Sequence, residues 1–462
     1  MKYIYIISTL LIAITFNSCM VGPNFQKTEI DSPDKYRFTE EPTDTVINLK
    51  WWELFQDTTL ITLIDSGLIY NNDVRIAASR IEESRIYLGY TKADMYPSFS
   101  YGGNFSYGNA IGGIIPASST EAGFSSTANM TWEIDFWGKY RRSNEAARAE
   151  LLASEYGLRT IQINLITEIS NAYYTLLDYN YRLEIAKRTL TSRDESLRII
   201  QDRFDHGTIP EIDLNQSQIQ NAVAAGSIPA TERAVAYAEN ALRVLTGENP
   251  STIELTSTIV NQVIPPTIPV GLPSQLLVRR PDIMAAEQQV AAQNARIGVA
   301  QAMRFPSISL TAMFGMASAS LSTFNAGDAL MGNVGAGLFG PIFNFGKNKR
   351  RVEIEAERTK QAKIKYEEAV LQAFRETEDA LINISTLEKE LESVILRLEA
   401  SRNASRLSNI RYNGGVASYL EVVDTDRTLF EIELYHSELM QRRLIAYTNL
   451  YKVLGGGWIE KK

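Results

Sequence analysis

Few side chains in this sequence could carry out a reaction. Its 462 residues include two histidines, His206 and His436, and one cysteine, Cys19. Zinc or haem ligation, thiol catalysis and a disulfide framework are therefore all poorly supplied. The two histidines stand apart, which suits a helix-end cap or a surface position better than a metal site. There is no nucleophile–base constellation and no phosphate-cradling glycine loop, so neither an active site nor a cofactor is expected. Carboxylates remain. Glu376 and Asp379 share one charged helix face, the usual mark of solvent. Glu421 and Asp424 lie one helical turn apart on a single face, and Asp213 occupies a comparable place earlier in the chain. Acids brought together collect cations and raise one another's pKa; left apart, they are solvated helix-start charges favoured by the dipole.

The elements carrying these acids are helices of unusual length. Lys347 to Tyr412 contains neither proline nor glycine. Within it Val370, Phe374, Leu381, Ile384, Leu387, Leu391, Ile395 and Leu398 keep the spacing of one helical stripe. At ~1.5 Å per residue that helix is on the order of 100 Å long. Helices in compact domains average about a dozen residues, so this one needs partners of similar length. Gly138 to Phe204 predicts another, with a coiled-coil seam from Leu158 through Leu165, Ala172, Leu183 and Leu190 to Leu197, Ile200 and Phe204, and Gly157 as its only breaker. Shorter helices return from Glu211 to Leu245, interrupted at Gly226 and Pro229, and from Ser418 to Leu454.

From Ser98 the period changes to two. Phe99, Tyr101, Phe105 and Tyr107 alternate with Ser and Gly, a loop is expected over Asn109–Thr120, and Phe124, Ala128, Met130, Trp132, Ile134 and Phe136 alternate again. Ile308, Leu310, Ala312, Phe314 and Met316, then Val334, Ala336 and Leu338, form a second such pair. Paired strands of about ten residues fit a transmembrane hairpin, a soluble hairpin being the alternative.

The chain repeats itself. With Pro97 set on Pro306, Asp73 falls on Asp282, Gly89 on Gly298 and Ala93 on Ala302; Trp137-Gly138-Lys139 matches Phe345-Gly346-Lys347, and Arg203 to Gly207 matches Arg411 to Gly415. Each half reads helix, hairpin, very long helix, tight turn, returning helix. The expected organisation is a signal peptide at 1–18, an extended segment and a short helix opened by Trp51-Trp52 at 19–71, and a first repeat at 72–246 with its hairpin at about 98–137 and its turn near 205–213. A linker follows at 247–280, then a second repeat at 281–454 with its hairpin at about 307–345 and its turn near 413–421, and a tail at 455–462.

Met1 to Ser18 has a basic start and an apolar core too short to span a bilayer, the pattern of a secretion signal. Asn17-Ser18-Cys19 resembles a bacterial lipobox, in which Cys19 becomes the lipidated first residue, although Phe16 stands where leucine is usual. One lipid anchors only marginally. No later apolar run reaches the ~18 residues of a spanning helix. Any further crossing must be a closed β-barrel. Four strands cannot close one, since the smallest membrane barrels have eight, so several copies must share it and enclose a conduit. A net charge of −8 with no basic block argues against nucleic acid as a partner.

Several short motifs then point one way: Cys19 followed by Val21-Gly22-Pro23-Asn24-Phe25, the Trp51-Trp52 helix, Arg279-Arg280-Pro281-Asp282-Ile283, Phe305-Pro306-Ser307, Arg411-Tyr412 with Gly415, Ser418, Leu420 and Val422, and Leu454-Gly455-Gly456-Gly457-Trp458. Over nearly its whole length the sequence resembles the TolC family of outer-membrane channel proteins, in the lipoprotein branch that serves drug and metal efflux pumps. The resemblance implies an α+β membrane protein: a homotrimer with a 12-stranded β-barrel in the bacterial outer membrane, continued by an α-helical tunnel into the periplasm. It further implies docking on a periplasmic adaptor (membrane fusion) protein and an inner-membrane RND-type transporter. It places the periplasmic mouth at Asp205–Asp213 and Asn413–Glu421, with tip glycines Gly207, Gly414 and Gly415. The pore constriction falls at Glu421, Asp424 and Asp213, and gate contacts run from Arg411 and Tyr412 to Asp202 or Asp205. Ala417 stands where some relatives carry a basic residue. A protein-secretion duct and a lipid-anchored periplasmic coiled-coil spacer remain as alternatives.

Overall fold

The computed structural model describes residues 20–38, 55–111, 115–264, 271, 273–319, 324 and 329–457; Cys19, the tryptophan pair and Trp458 lie outside the described residues. Helix α1 (Thr58–Tyr70) comes first. Then follow α2 (Asn72–Ala93), β1 (Ser98–Ile111), β2 (Ile115–Ile134), α3 (Lys139–Asp205) and α4 (Glu211–Leu245). After a 3-10 turn at Ile259–Asn261 and a short α5 (Pro273–Arg279), the series returns as α6 (Pro281–Ala302), β3 (Ser307–Ser318), β4 (Leu330–Phe339), α7 (Lys347–Asn413) and α8 (Tyr419–Val453). Corresponding helices match in length: 22 residues in α2 and α6, 67 in α3 and α7, 35 in α4 and α8.

Several local features differ from the expectation, for physical reasons. Helix α1 starts at Thr58 because Asp57 caps it, one carboxylate oxygen accepting from the amides of Thr59 (2.9 Å) and Leu60 (3.2 Å). Most of the expected loop Asn109–Thr120 is ladder, with Ile111 opposite Ile115, because strand pairing uses the backbone and continues after the side-chain alternation has lapsed. Helix α4 runs unbroken through Gly226 and Pro229. Proline removes one helical bond there, but packing of an amphipathic face outweighs local propensity. Helix α5 is too short to show a period.

By its contacts the chain divides into two units, each drawing on both repeats. The first comprises Met1–Glu29, Arg80–Glu155 and Ala285–Glu367. It carries one antiparallel sheet in the order β1-β2-β3-β4, which leaves β1 and β4 as edges. Tyr101 stands opposite Ala128, Ala128 opposite Phe314, and Ala312 opposite Val334. Because side chains alternate, one face therefore carries Phe99, Tyr101, Met130, Phe314, Val334 and Leu338, and the other Ser100, Asn104, Asn129, Thr311 and Asn333. On the apolar face Tyr101 is 93% exposed and Val334 85%.

The same unit holds an N-terminal strap. The buried Arg142 donates from Nε to the Val21 carbonyl (3.1 Å), from Nη2 to the Gly22 carbonyl (3.0 Å) and to Asn24 Oδ1 (2.8 Å), and from Nη1 to Glu145 (2.7 Å). Asn294 donates to the Pro23 carbonyl at 3.0 Å. Gly22, at φ +99°, crosses α6 at Gly298 so closely that a Cβ on it would sit 2.4 Å from the Gly298 Cα.

The second unit comprises Ile30–Ser79, Tyr156–Met284 and Glu368–Lys462. Leu60 and Ile64 of α1, Ile169 and Leu176 of α3, Leu242 of α4, Ile253 and Ile259 of the linker and Leu450 of α8 make its core. Arg280 is buried and pairs with Asp282 (2.7 Å) and Glu376 (2.8 Å), so Glu376 is an ion-pair partner rather than a purely solvated charge. Between α7 and α8 the seam runs through Leu387, Leu391, Val394 and Leu398. Ile395, one position out of step with that three–four spacing, is 40% exposed.

Candidate functional site

Helices α3 and α7 end alike. Gly207 and Gly415 adopt left-handed backbone, at φ +71° and +74°. The next amide returns to a carbonyl five residues back, Thr208 to Arg203 (2.9 Å) and Val416 to Arg411 (3.0 Å), while the glycine amides reach Phe204 (2.8 Å) and Tyr412 (3.0 Å). This paired bonding satisfies the last-turn carbonyls and turns the chain. Gly414 differs from the other two tip glycines, since its amide completes an ordinary helical bond to the Ile410 carbonyl at 3.0 Å. His206 acts as a cap, its Nδ1 lying 2.8 Å from the Asp202 carbonyl. That bond and the Asp202 carboxylate raise its pKa.

Beneath the turns α3, α4 and α8 meet in a small core of Ile200, Leu214, Tyr419 and Val422, with Phe204, Ile209 and Tyr412 of α7 packed against it. The Tyr412 and Tyr419 rings stand 5.2 Å apart. Arg203 bridges the two turns. Its guanidinium lies 5.2 Å from the centre of the Tyr412 ring, and its Nη2 donates to Asn413 Oδ1 at 3.0 Å.

The expected gate contacts are arranged differently within the chain. Arg411 donates to Glu421 Oε1 at 2.9 Å across its own turn, rather than to Asp202 or Asp205. A charged acceptor ten residues on, at the start of the next helix, outcompetes acids on the other turn. Asp205 accepts from Gln201 (2.9 Å), and the Tyr412 hydroxyl is buried without a hydrogen-bond partner among the described residues. Arg203 and Asn413 are the repeat counterparts of Arg411 and Asp205, so the tie across the turns uses the other member of each duplicated pair.

Glu421 and Asp424 share the first turns of α8, and Asp424 accepts from Arg427 at 2.8 Å. Asp213 sits in the first turn of α4, where burial pushes its carboxyl pKa up. Asp213 and Glu421 stand in the first turns of their helices, where the macrodipole favours negative charge, and Asp424 lies just beyond the first turn of α8.

A further cluster escaped the sequence expectation. Asp426 accepts from Ser405 (2.5 Å) and Asn409 (3.4 Å) of α7, and Ser408 and Thr425 share a hydrogen bond of 2.6 Å. Arg193 of α3 donates to the Gln220 carbonyl of α4 at 2.6 Å and lies 5.1 Å from the centre of the Phe430 ring. Burial pushes the Asp426 carboxyl up, against the opposing pull of Ser405, Arg193 and Asn409, and it pushes the Arg193 guanidinium down. The signal was available: Asp426 falls on the Tyr419–Val422–Phe430 stripe and Arg193 between Leu190 and Leu197, each a charge on a seam. Among the described residues no group of three or more His, Cys, Asp or Glu could hold a metal.

The family described as outer membrane efflux protein matches this chain twice, over residues 63–248 and 272–456, once per repeat. The cation efflux system protein CusC of Escherichia coli O6:H1 is 31% identical over 452 residues, spanning 97% of each chain. The probable outer membrane lipoprotein SilC of Salmonella typhimurium is 30% identical over 444 residues, or 95% of this chain and 96% of SilC. A crystal structure from work on the conformational changes of CusC in folding and transmembrane channel formation superposes with a TM-score of 0.87 at 29% identity, covering 95% of this chain and 100% of that one.

Proposed function

The chain belongs to the outer membrane efflux protein family, and from that premise we propose that it works as the homotrimeric exit duct of a tripartite efflux pump. The observation that carries this reading is the two-faced sheet whose edges, β1 and β4, have no partner among the described residues. An apolar face across all four strands suits lipid, and a face of Ser, Thr, Asn and Gly suits a watery bore. Open edges are not tolerated in hydrocarbon, so three copies close one twelve-stranded barrel. The long helices supply the tunnel.

On this reading a periplasmic adaptor (membrane fusion) protein and an inner-membrane RND-type transporter deliver drugs, metal ions or other small molecules, which pass through without catalysis. A relative named for cation efflux favours metal cations among the cargoes. Glu421, Asp424 and Asp213 ring the constriction, and a lipid on Cys19 adds a second hold on the outer membrane. Purified protein in planar bilayers should conduct, and Glu421→Gln with Asp424→Gln should reduce its preference for cations. A monomeric product without conductance would overturn the reading.

A further inference from the structure

The strand-to-helix junctions of the two repeats lie 208 positions apart and neutralise their charges differently. Where β2 runs into α3, each cation meets a carboxylate. Asp135 caps α3, accepting from the amides of Tyr140 (3.1 Å) and Arg141 (2.8 Å) and from the Arg141 side chain (3.3 Å). Glu133 accepts from Lys139 (2.9 Å) and from the Tyr140 hydroxyl (3.0 Å), and Glu145 takes Arg142 (2.7 Å). Those acids are needed there, because the helix dipole makes the same end positive again.

Where β4 runs into α7 the cations stay and the acids ahead of them are gone. Lys347, Lys349 and Arg350 stand in the places of Lys139, Arg141 and Arg142, and Arg351 adds a charge where the first repeat has Ser143. Pro341 and Phe343 replace Glu133 and Asp135. Glu353, the counterpart of Glu145, serves both Lys349 (3.7 Å) and Arg350 (2.8 Å). Lys347 and Arg351 have no carboxylate partner among the described residues, Arg351 donating only to the Met303 sulfur at 2.9 Å. Arg351 shares a groove with Glu133 and Asp135, but the start of α3 already engages their oxygens. All four cationic residues are exposed.

The side chains just ahead of them are exposed too, and apolar: Ile342, Phe343 and Phe345, the last to 90%. The first repeat covers the counterpart of Phe345, since Trp137 stacks on Phe305 with ring centres 4.4 Å apart. An exposed apolar strip therefore runs from Val334 and Leu338 on the sheet through Phe345 and ends on four cations. That is the order of a lipid leaflet read outward from its tails: hydrocarbon, interface, phosphate.

We propose that this patch binds the headgroups of anionic phospholipids in the leaflet facing the helices. Ile342, Phe343 and Phe345 enter the acyl boundary, and Lys347, Lys349, Arg350 and Arg351 hold phosphates in place of the carboxylates that Glu133 and Asp135 supply in the first repeat. The proposal rests on the conduit reading, which sets the sheet in a bilayer, and adds a lipid-selective surface confined to the second repeat. A free phosphate would need no apolar neighbours, so the exposed aromatic side chains favour lipid.

Native mass spectrometry of the full-length oligomer, titrated with phosphatidylglycerol or with phosphatidylcholine of the same acyl chains, tests this. Phosphatidylglycerol should bind about ten-fold better, because each cation near the headgroups adds to the attraction. Lys347→Gln with Arg351→Gln should cut that preference to about two-fold or less. Lys363→Gln with Lys365→Gln removes the same charge about 24 Å further along α7 and should leave it unchanged. Phe343→Asp keeps every cation and restores the carboxylate of the first repeat, so it should lower the preference as well. Equal binding of the two lipids by the unmodified protein, or equal losses in the two glutamine pairs, overturns the proposal and leaves the conduit reading standing. So does competition by millimolar inorganic phosphate beyond that of chloride at equal ionic strength, which would make the patch a free-anion site. Dissociation of the Lys347→Gln, Arg351→Gln protein into single chains overturns it too, by assigning the cations to a neighbouring copy. An unmodified protein that forms neither an oligomer nor a conducting pore removes both readings.

Discussion

Arg203 ties the end of α3 to the end of α7, its Nη2 donating to Asn413 Oδ1 at 3.0 Å while the same guanidinium stacks on Tyr412. Duplication placed an arginine at the last turn of each long helix. The two have since taken different work: Arg411 holds its own turn through Glu421, and Arg203 holds the two turns together. If the turns part when the duct opens, Arg203→Ala should favour the parted state. The bond is exposed, so it contributes about 1 kcal/mol, and the ring contact about 0.5–1 kcal/mol. Together they shift the equilibrium about ten- to thirty-fold, which should appear as a higher mean single-channel conductance. Asn413→Ala should give about half that free-energy change, and unchanged conductance in both would count against the tie.

Tyr412 provides the contrast. Its hydroxyl is buried with no hydrogen-bond partner among the described residues, although its ring packs on Tyr419. Leaving such a group unsatisfied costs about 1 kcal/mol, so Tyr412→Phe should leave conductance unchanged and raise the melting temperature by about 1–2 °C. A conductance rise in this variant would mean that the hydroxyl bonds to another copy.

These paired residues show how far the sequence could be read. Helix bounds were legible because long uninterrupted periodicity leaves little choice: Lys347–Tyr412 was expected and α7 ends one residue later, at Asn413. The sheet faces were legible from the alternation through Phe99 and Tyr101. The ends of the hairpin were not, because ladder pairing at Ile111 and Ile115 leaves no side-chain signature. At the paired turns the residue types were legible but the pairing was not. Arg203 and Arg411 follow the same pattern, and only side-chain geometry decides which of them reaches across. Asp426 and Arg193 were visible as charges on apolar seams, a departure from the helical rule that marks a functional or strained place.

Asp426 gives the turn end of the long helices a pH dependence whose sign follows from its burial. Burial raises its carboxyl above the ordinary value of 3.8, so the folded state holds that proton more tightly than the unfolded chain. The resulting stabilisation is complete below the unfolded value and is lost as pH rises through the folded one. Across the mildly acidic range above 3.8, the melting temperature of the unmodified protein should fall relative to that of Asp426→Asn, which keeps an acceptor for Ser405 and carries no titrating proton. Parallel melting curves for the two proteins across that range would contradict the assignment.

The tip glycines separate by conformation. At Gly207 and Gly415 the left-handed backbone makes an L side chain costly, so each change to alanine should destabilise by about 1–2 kcal/mol. Gly157, inside α3 with open space at its missing Cβ, should respond the other way, since alanine there gains about 0.5–1 kcal/mol. Denaturant midpoints decide the matter, and equal losses at all three positions would deny the turn glycines any special role.

Arg142 anchors the N-terminal strap with a single buried guanidinium that serves Val21, Gly22, Asn24 and Glu145. Arg142→Met keeps much of the stem's packing but leaves two strap carbonyls without their donor. At about 1–3 kcal/mol for each buried acceptor left unsatisfied, the strap should detach before the helices melt. Arg142→Lys should rescue only partly, because an ammonium is a point donor that cannot match a planar fork. Limited proteolysis with mass spectrometry reads this directly: cuts within 21–29 should appear at least ten-fold faster in Arg142→Met than in the unmodified protein, with Lys between them, while the long helices stay intact. Asn294→Ala, which removes one strap bond from the opposite side, should accelerate the same cuts more weakly. Strap cleavage that is indifferent to both positions would show that the segment is held by something other than this guanidinium.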